Sequence, residues 1–162
     1  GLTDAVALLR LCLRYGYQLR IIEQMPLDAG HQWSRDGALT ADAILAALRG
    51  SFDLSPDPLP RGSAPARLWR VDGGPATVGV IASVSDAFCG ACDRTRLTAD
   101  GQVRSCLFAT GETDLRTLLR SGADDAEVEL AWRAAMWRKA AGHGINDPGF
   151  IQPQRPMSAI GG

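Results

Sequence analysis

Three of the chain's four cysteines stand in one short stretch. Phe88 to Leu107 reads FCGACDRTRLTADGQVRSCL and carries Cys89, Cys92 and Cys106 as C-x2-C-x13-C. Two residues between Cys89 and Cys92 let one tight turn aim both thiolates at a single metal centre. After Cys92 the residues alternate as a strand does, so Cys92, Arg94 and Arg96 share a face. Ala99-Asp100-Gly101 reads as a three-residue hairpin loop with Gly101 in the left-handed position. That register sets Arg96 opposite Arg104 and Arg94 opposite Cys106, and returns Cys106 to the face of Cys92. Leu97 and Val103 pair on the other, buried face; a one-residue slip would invert all of these. Three thiolates beside three arginines repel their own kind across strands and call for something anionic between them. A thiolate-bound cluster together with a polyphosphate fits, since arginine forks match phosphate oxygens two bonds at a time. The stretch reads as the floor of an active site.

The rest of the chain must hold that floor. Its 162 residues suffice for one domain with a full core. A formal net charge of −1 implies no general attraction to nucleic acid or to a membrane surface. No apolar run is long enough to span a bilayer, and no signal peptide is visible. Four cysteines with a C-x-x-C pair suit a cytoplasmic metal or redox site better than a disulfide scaffold. The chain starts at Gly1 and runs straight into a helix, which reads as a piece of a longer protein.

Thr3 is positioned to cap a helix over 4–15, with Leu2, Val6, Leu9 and Leu13 at helical spacing and Gly16 as its stop. Cys12 lies on or beside that stripe and reads as structural. Tyr17 to Met25 suggests a strand buried on both sides, the helix-then-strand piece of a parallel α/β sheet or barrel. Arg20 and Glu23 inside it either face a ligand or pair with each other. His31 sits in a polar loop over 26–36. Thr40 opens a second helix, Ala41 to Arg49, ended by Gly50. Ser51 to Pro65 reads as irregular. Ala66 to Val71 and Thr77 to Ser83 read as strands joined by Asp72-Gly73-Gly74. Beyond the cysteine hairpin, Thr113 to Arg120 is a short helix with Leu115, Leu118 and Leu119 inside. Asp124 to Ala140 is a longer one, acidic first and basic last, with Trp132 and Met136 packing. His143 lies in a GHG turn. The last residues, IQPQRPMSAIGG, lack a regular pattern, and a disordered tail is the default there. Yet Phe150, Ile151, Met157 and Ile160 are more apolar than a solvated tail needs, and terminal glycines can thread a narrow cavity.

These pieces resemble one family. FCGACDRTRLTADGQVRSCLF is similar to the C-terminal cluster motif of the GTP 3′,8-cyclases of molybdenum cofactor biosynthesis (the MoaA family), radical S-adenosylmethionine (SAM) enzymes. LRIIEQMPLDAG resembles that family's last barrel strand, and RPMSAIGG its double-glycine tail. The resemblance implies a fold of α/β to α+β class. Residues 1–36 would be the end of an incomplete (β/α) barrel, and 37–162 an α+β domain for a [4Fe–4S] cluster and GTP. It implies Cys89, Cys92 and Cys106 as ligands of a cluster with one open iron. Arg94, Thr95 and Arg96 would contact GTP, Met25 would contact SAM, and Arg20 would be an active-site arginine. Gly161 and Gly162 would be the tail that enters the site. A homodimer and the missing N-terminal barrel are the implied protein partners.

The implied reaction converts GTP to 3′,8-cyclo-7,8-dihydro-GTP. A 5′-deoxyadenosyl radical takes the 3′ hydrogen of GTP, and the 3′ carbon then attacks C8 of guanine. One departure bears on this: the family's C-x3-C-x2-C motif for a first cluster is absent from this sequence, so the chain alone is expected to be inactive. Two other readings stand beside it. In one, the cysteines, with Cys12 or His143 as a fourth ligand, make a structural zinc site. In the other they carry an electron-transfer cluster, which leaves the arginines unexplained.

Overall fold

The structure, a computed structural model, describes residues 1–160. It is a mixed α/β fold with two sheets and two compact units. The first unit comprises Gly1–Met25 and Ser34–Cys92; the second comprises Pro26–Trp33 and the chain from Asp93 onward.

The first unit opens with α1, Leu2–Tyr15. Gly1, not Thr3, is its N-cap, and Gly16 ends it at φ 70 with its amide bonded back to the Cys12 and Leu13 carbonyls. Four strands form a sheet in the order β1-β4-β3-β2: β1 Arg20–Ile22, β2 Leu54–Pro56, β3 Arg67–Val71 and β4 Thr77–Ile81. β1 runs parallel to β4, with Arg20 opposite Gly79, and the other pairs are antiparallel. The turn from β3 to β4 takes positive φ at Asp72 and Gly73, as the Asp-Gly-Gly sequence demands. Helix α2, Ala41–Arg49, is capped by Thr40, whose hydroxyl accepts the Ala43 amide at 3.3 Å. Leu9 of α1, Ile44 and Leu48 of α2, and Val71, Val78 and Val80 of the sheet close the core.

Two expectations change here. The strand expected over 17–25 is only Arg20–Ile22, and it is the sheet's edge, not a strand covered on both faces. Tyr17 and Ile22 are accordingly exposed. The supposedly irregular 51–65 contains β2; Pro56 is tolerated because it ends an edge strand, where its missing N–H breaks no ladder.

The second unit holds a three-stranded antiparallel sheet, order β5-β6-β7, from Arg96–Leu97, Gln102–Arg104 and Thr113–Asp114. Helix α3, Leu115–Arg120, starts on Asp114, whose carboxylate accepts the Thr117 amide. Helix α4, Asp125–Trp137, starts on a capping box between Asp124 and Glu127. Val103, Leu115 and Ala135 form the core, with Leu118, Trp132 and Met136 packed against it. Leu119, expected inside, is exposed. The basic end expected of α4 lies past it: the helix stops at Trp137, and Arg138 and Lys139 make tertiary bonds instead.

The tail, too apolar in sequence for a solvated one, is tied down as far as Ile160, which is fully buried. The Met157 amide donates to the Leu27 carbonyl at 2.9 Å, and Gln152 Nε2 to the Asp28 carbonyl at 3.1 Å. Gly161 and Gly162 lie outside the described residues.

Candidate functional site

Cys89–Ala91 is a single 3₁₀ turn closed by the Cys92 amide donating to the Cys89 carbonyl at 3.0 Å. This is the tight turn that the C-x-x-C spacing requires, and it ends the first unit. Both thiols are half-buried and outside any disulfide, as is that of Cys106 in the second unit.

The hairpin after them has the register its sequence predicts. Arg96 stands opposite Arg104 and Leu97 opposite Val103. The loop closes with the Thr98 amide on the Gln102 carbonyl and the Gly101 amide on the Thr98 carbonyl, both at 2.9 Å. Gly101 takes φ +81, and a Cβ there would stand 2.5 Å from Cβ of Arg116. Thr95 Oγ1 donates to the Arg104 carbonyl at 3.1 Å, extending the pairing toward Arg94. Lys139 Nζ donates to the Arg94 carbonyl at 2.8 Å and to the Ser105 carbonyl, strapping both sides of the hairpin.

Side-chain burial departs from the simple two-face picture. Arg104 does not stand in the anion-facing set expected of the three arginines. Its side chain is 4 % exposed and ion-paired to Glu112, and it also donates to the Leu107 carbonyl at 3.3 Å and to that of Ala109. A guanidinium this desolvated needs an internal carboxylate, and Glu112 supplies it. Leu97 is 57 % exposed although Val103 opposite is 1 % exposed. Helices α3 and α4 both pack on β6, and α4 also covers β7, so burial belongs to the middle strand.

Cys106 lines a cavity of about 400 Å3 within the second unit, with Phe108, Thr110, Glu112, Arg138 and His143. His143 packs on Phe108 with ring centroids 4.9 Å apart, and its Nδ1 accepts the Ile145 amide at 3.1 Å. A second cavity of about 430 Å3 in the same unit lies between Arg104, Glu112 and the tail residues Gln152 and Arg155. Asp100, in the hairpin loop, is held well below the usual carboxylate range by Arg155 and then by Thr98.

In the first unit, Arg20 Nε donates to Gln18 Oε1 at 2.9 Å, and Gln18 in turn donates to Thr77 Oγ1. The Arg20–Glu23 pair entertained from sequence is not what forms. Glu23 is buried and accepts the amides of Ala41, Val84 and Ser85. Met25 is half-buried just after β1. Sequence reasoning missed Glu23, Lys139 and Arg155 as organising residues. A carboxylate at the end of an apolar stretch was the available signal for Glu23; nothing local marks the other two.

Among the described residues, no group of three or more His, Cys, Asp or Glu side chains stands arranged to hold a metal ion. The donor chemistry nonetheless suits an iron–sulfur group: three half-buried thiols outside any disulfide, two of them on one turn.

Comparison with known proteins gives one family. The family described as Molybdenum Cofactor Synthesis C matches residues 17–145. A curated GTP 3′,8-cyclase of Mycobacterium sp. (strain KMS) is 78 % identical over 162 residues, which is all of this chain and 46 % of the relative. The GTP 3′,8-cyclase of Mycolicibacterium smegmatis (strain ATCC 700084 / mc(2)155) is 72 % identical over 166 aligned residues, with the same coverage. So is the GTP 3′,8-cyclase 2 of Mycobacterium tuberculosis (strain ATCC 25618 / H37Rv). The chain thus spans about half the length of the curated relatives it matches.

Proposed function

The chain belongs to the Molybdenum Cofactor Synthesis C family, and on that premise we propose that it is the substrate-binding, C-terminal part of a GTP 3′,8-cyclase. The carrying observation is the hairpin register, which sets Arg96 at the head of β5 opposite Arg104, with Arg94 two residues before it and two past Cys92. Residues 1–36 then read as the end of a (β/α) barrel and 37–162 as the cluster and GTP domain.

Cys89, Cys92 and Cys106 would hold a [4Fe–4S] cluster, which supplies an open iron for the guanine base. The chain's own residues do the positioning. Arg94 and Arg96 bind the triphosphate by charge-assisted, two-point contacts, and Thr95 keeps the strand pair closed through its bond to Arg104. Lys139 holds the Arg94 carbonyl, fixing the backbone from which that guanidinium extends. Holding base and phosphates at once fixes the ribose between them, which is the orientation that ring closure from the 3′ carbon to C8 requires. Met25 and Arg20 belong, in this reading, to the SAM side of the site, and Gly161 and Gly162 to a tail that enters it. SAM and a second cluster belong to the remainder of the protein. This chain, lacking C-x3-C-x2-C, binds but does not turn over alone. A cytoplasmic homodimer completes the reading; among the described residues no helix is long and apolar enough to cross a membrane.

The test is GTP binding and turnover by the anaerobically reconstituted full-length protein. Iron and sulfide with GTP conversion support the reading. Stoichiometric zinc without sulfide would replace it with a zinc-stapled module, and a cluster that binds no nucleotide with an electron-transfer module.

A further inference from the structure

We propose that Arg155 is a positioning residue that locks the tail to the hairpin carrying Arg94 and Arg96, so that tail and substrate grip share one frame; this rests on the reading of the tail as part of the active site. Arg155 Nη2 and Nη1 reach the two carboxylate oxygens of Asp100 at 2.5 and 3.1 Å, a two-point fork onto the hairpin loop. Its Nε stands 3.2 Å from Glu112 Oε1. That same oxygen pairs with buried Arg104, which is the cross-strand partner of Arg96. One guanidinium thus reaches the hairpin twice, at its turn and, through Glu112, at the strand opposite Arg96. Its Nη1 also donates to the Ala159 carbonyl at 3.4 Å, so the clamp extends to the residue two before Gly161.

A plain surface ion pair contributes little and orders nothing. This one differs in that Arg155 and Glu112 are partly buried, 31 % and 21 % exposed, although Asp100 is 41 % exposed, and in having two carboxylates that converge on one fork. The segment around it is tied down independently by the Met157 and Gln152 bonds to Leu27 and Asp28. Those bonds hold the tail to the unit. Arg155 alone among these contacts refers it to the hairpin, so its loss should misplace the tail relative to bound substrate without unfolding the unit.

The experiment compares Arg155→Gln, Asp100→Asn and Arg155→Lys in the full-length cyclase, each with the tail intact and with Gly161 and Gly162 removed. With the tail intact, Arg155→Gln should lower kcat about tenfold to a hundredfold, the cost of a misplaced reacting group, while KM for GTP stays near wild type. Asp100→Asn should act in the same direction, and Arg155→Lys should recover part of the loss. Hydrogen exchange should quicken at the Ala159 and Ile160 amides in Arg155→Gln, while the Met157 amide, held by Leu27, stays near wild type. In the tail-shortened protein Arg155→Gln should cost nothing further, because the clamp has nothing left to place. If it costs the same factor with and without the tail, the clamp is wrong while the tail reading stands. If removing the two glycines leaves kcat unchanged, the tail reading falls and takes the clamp with it. Should Arg155→Gln fail to fold, Asp100→Asn at the hairpin turn decides between the same outcomes.

Discussion

Glu23 Oε1 accepts the backbone N–H of Ala41, eighteen residues further on and the first residue of α2, at 2.6 Å. The Ser85 hydroxyl donates to the same oxygen, and the Val84 and Ser85 amides donate to Oε2 at 2.7 and 2.8 Å. One carboxylate therefore joins the end of β1, the start of α2 and the segment after β4. Burial pushes its pKa up, but the bonds from Ser85, Val84 and Ala41 together outweigh burial, and the net direction is downward from 4.5.

Glu23→Gln should accordingly destabilise the chain by about 1.5–3 kcal/mol at neutral pH, since an amide cannot accept from every one of these donors. A carboxylate whose folded pKa is depressed adds stability above its unfolded pKa and loses it as pH falls through the folded value. Denaturation curves for the two proteins should converge in acid. A gap that persists there would show that the charge is not what stabilises.

Gly101→Ala should cost at least about 1–3 kcal/mol from the left-handed backbone alone, with the contact to Arg116 in addition. Gly16→Ala is the comparison. It has positive φ too, but nothing stands within 4 Å of the added carbon, so only the backbone term applies. Thermal melts of the two variants measure the difference.

Arg94→Ala and Arg96→Ala should each weaken GTP binding by roughly 1.5–3 kcal/mol, about tenfold to a hundredfold in affinity. Guanosine, with no phosphates to lose, should bind nearly as before. Equal weakening of both ligands, or of neither, would falsify the phosphate assignment.

Cys12→Ser should leave iron content unchanged, because Cys12 is a half-buried residue of α1 whose neighbours Leu9 and Leu13 pack into the core. Serine for Cys89, Cys92 or Cys106 should lose cluster. Anaerobic analysis of the wild type should give about four irons and four sulfides. Iron lost from a folded Cys12→Ser protein would reassign that thiol.

Features set by a few adjacent residues were legible in the sequence. The Thr40 cap, the Asp72-Gly73 turn and the hairpin register all follow from local chemistry, and a three-residue loop ending in glycine leaves little choice of pairing. What the sequence hid depends on neighbours far along the chain. Whether Tyr17–Met25 is a central or an edge strand depends on which strands flank it, and only β4 does. Arg104 looked like a phosphate ligand because its alternation matched Arg96. Its burial is set by Glu112, which no periodicity couples to it. The tail's apolar residues marked it as anchored, but not where, because its partners Leu27 and Asp28 belong to a loop far back in the sequence.

The passage of residues 26–33 into the second unit has a consequence in time. On a ribosome this loop emerges well before Gln152, which bonds to the Asp28 carbonyl and follows 124 residues later. At cellular synthesis speeds the delay is on the order of ten seconds. Throughout it the Leu27 and Asp28 carbonyls wait for the Met157 and Gln152 donors that bond them in the finished molecule. The first unit's segments can be complete while the loop between them still waits. For that interval the nascent chain offers chaperones and proteases a loop that the segment around Gln152 and Met157 then closes.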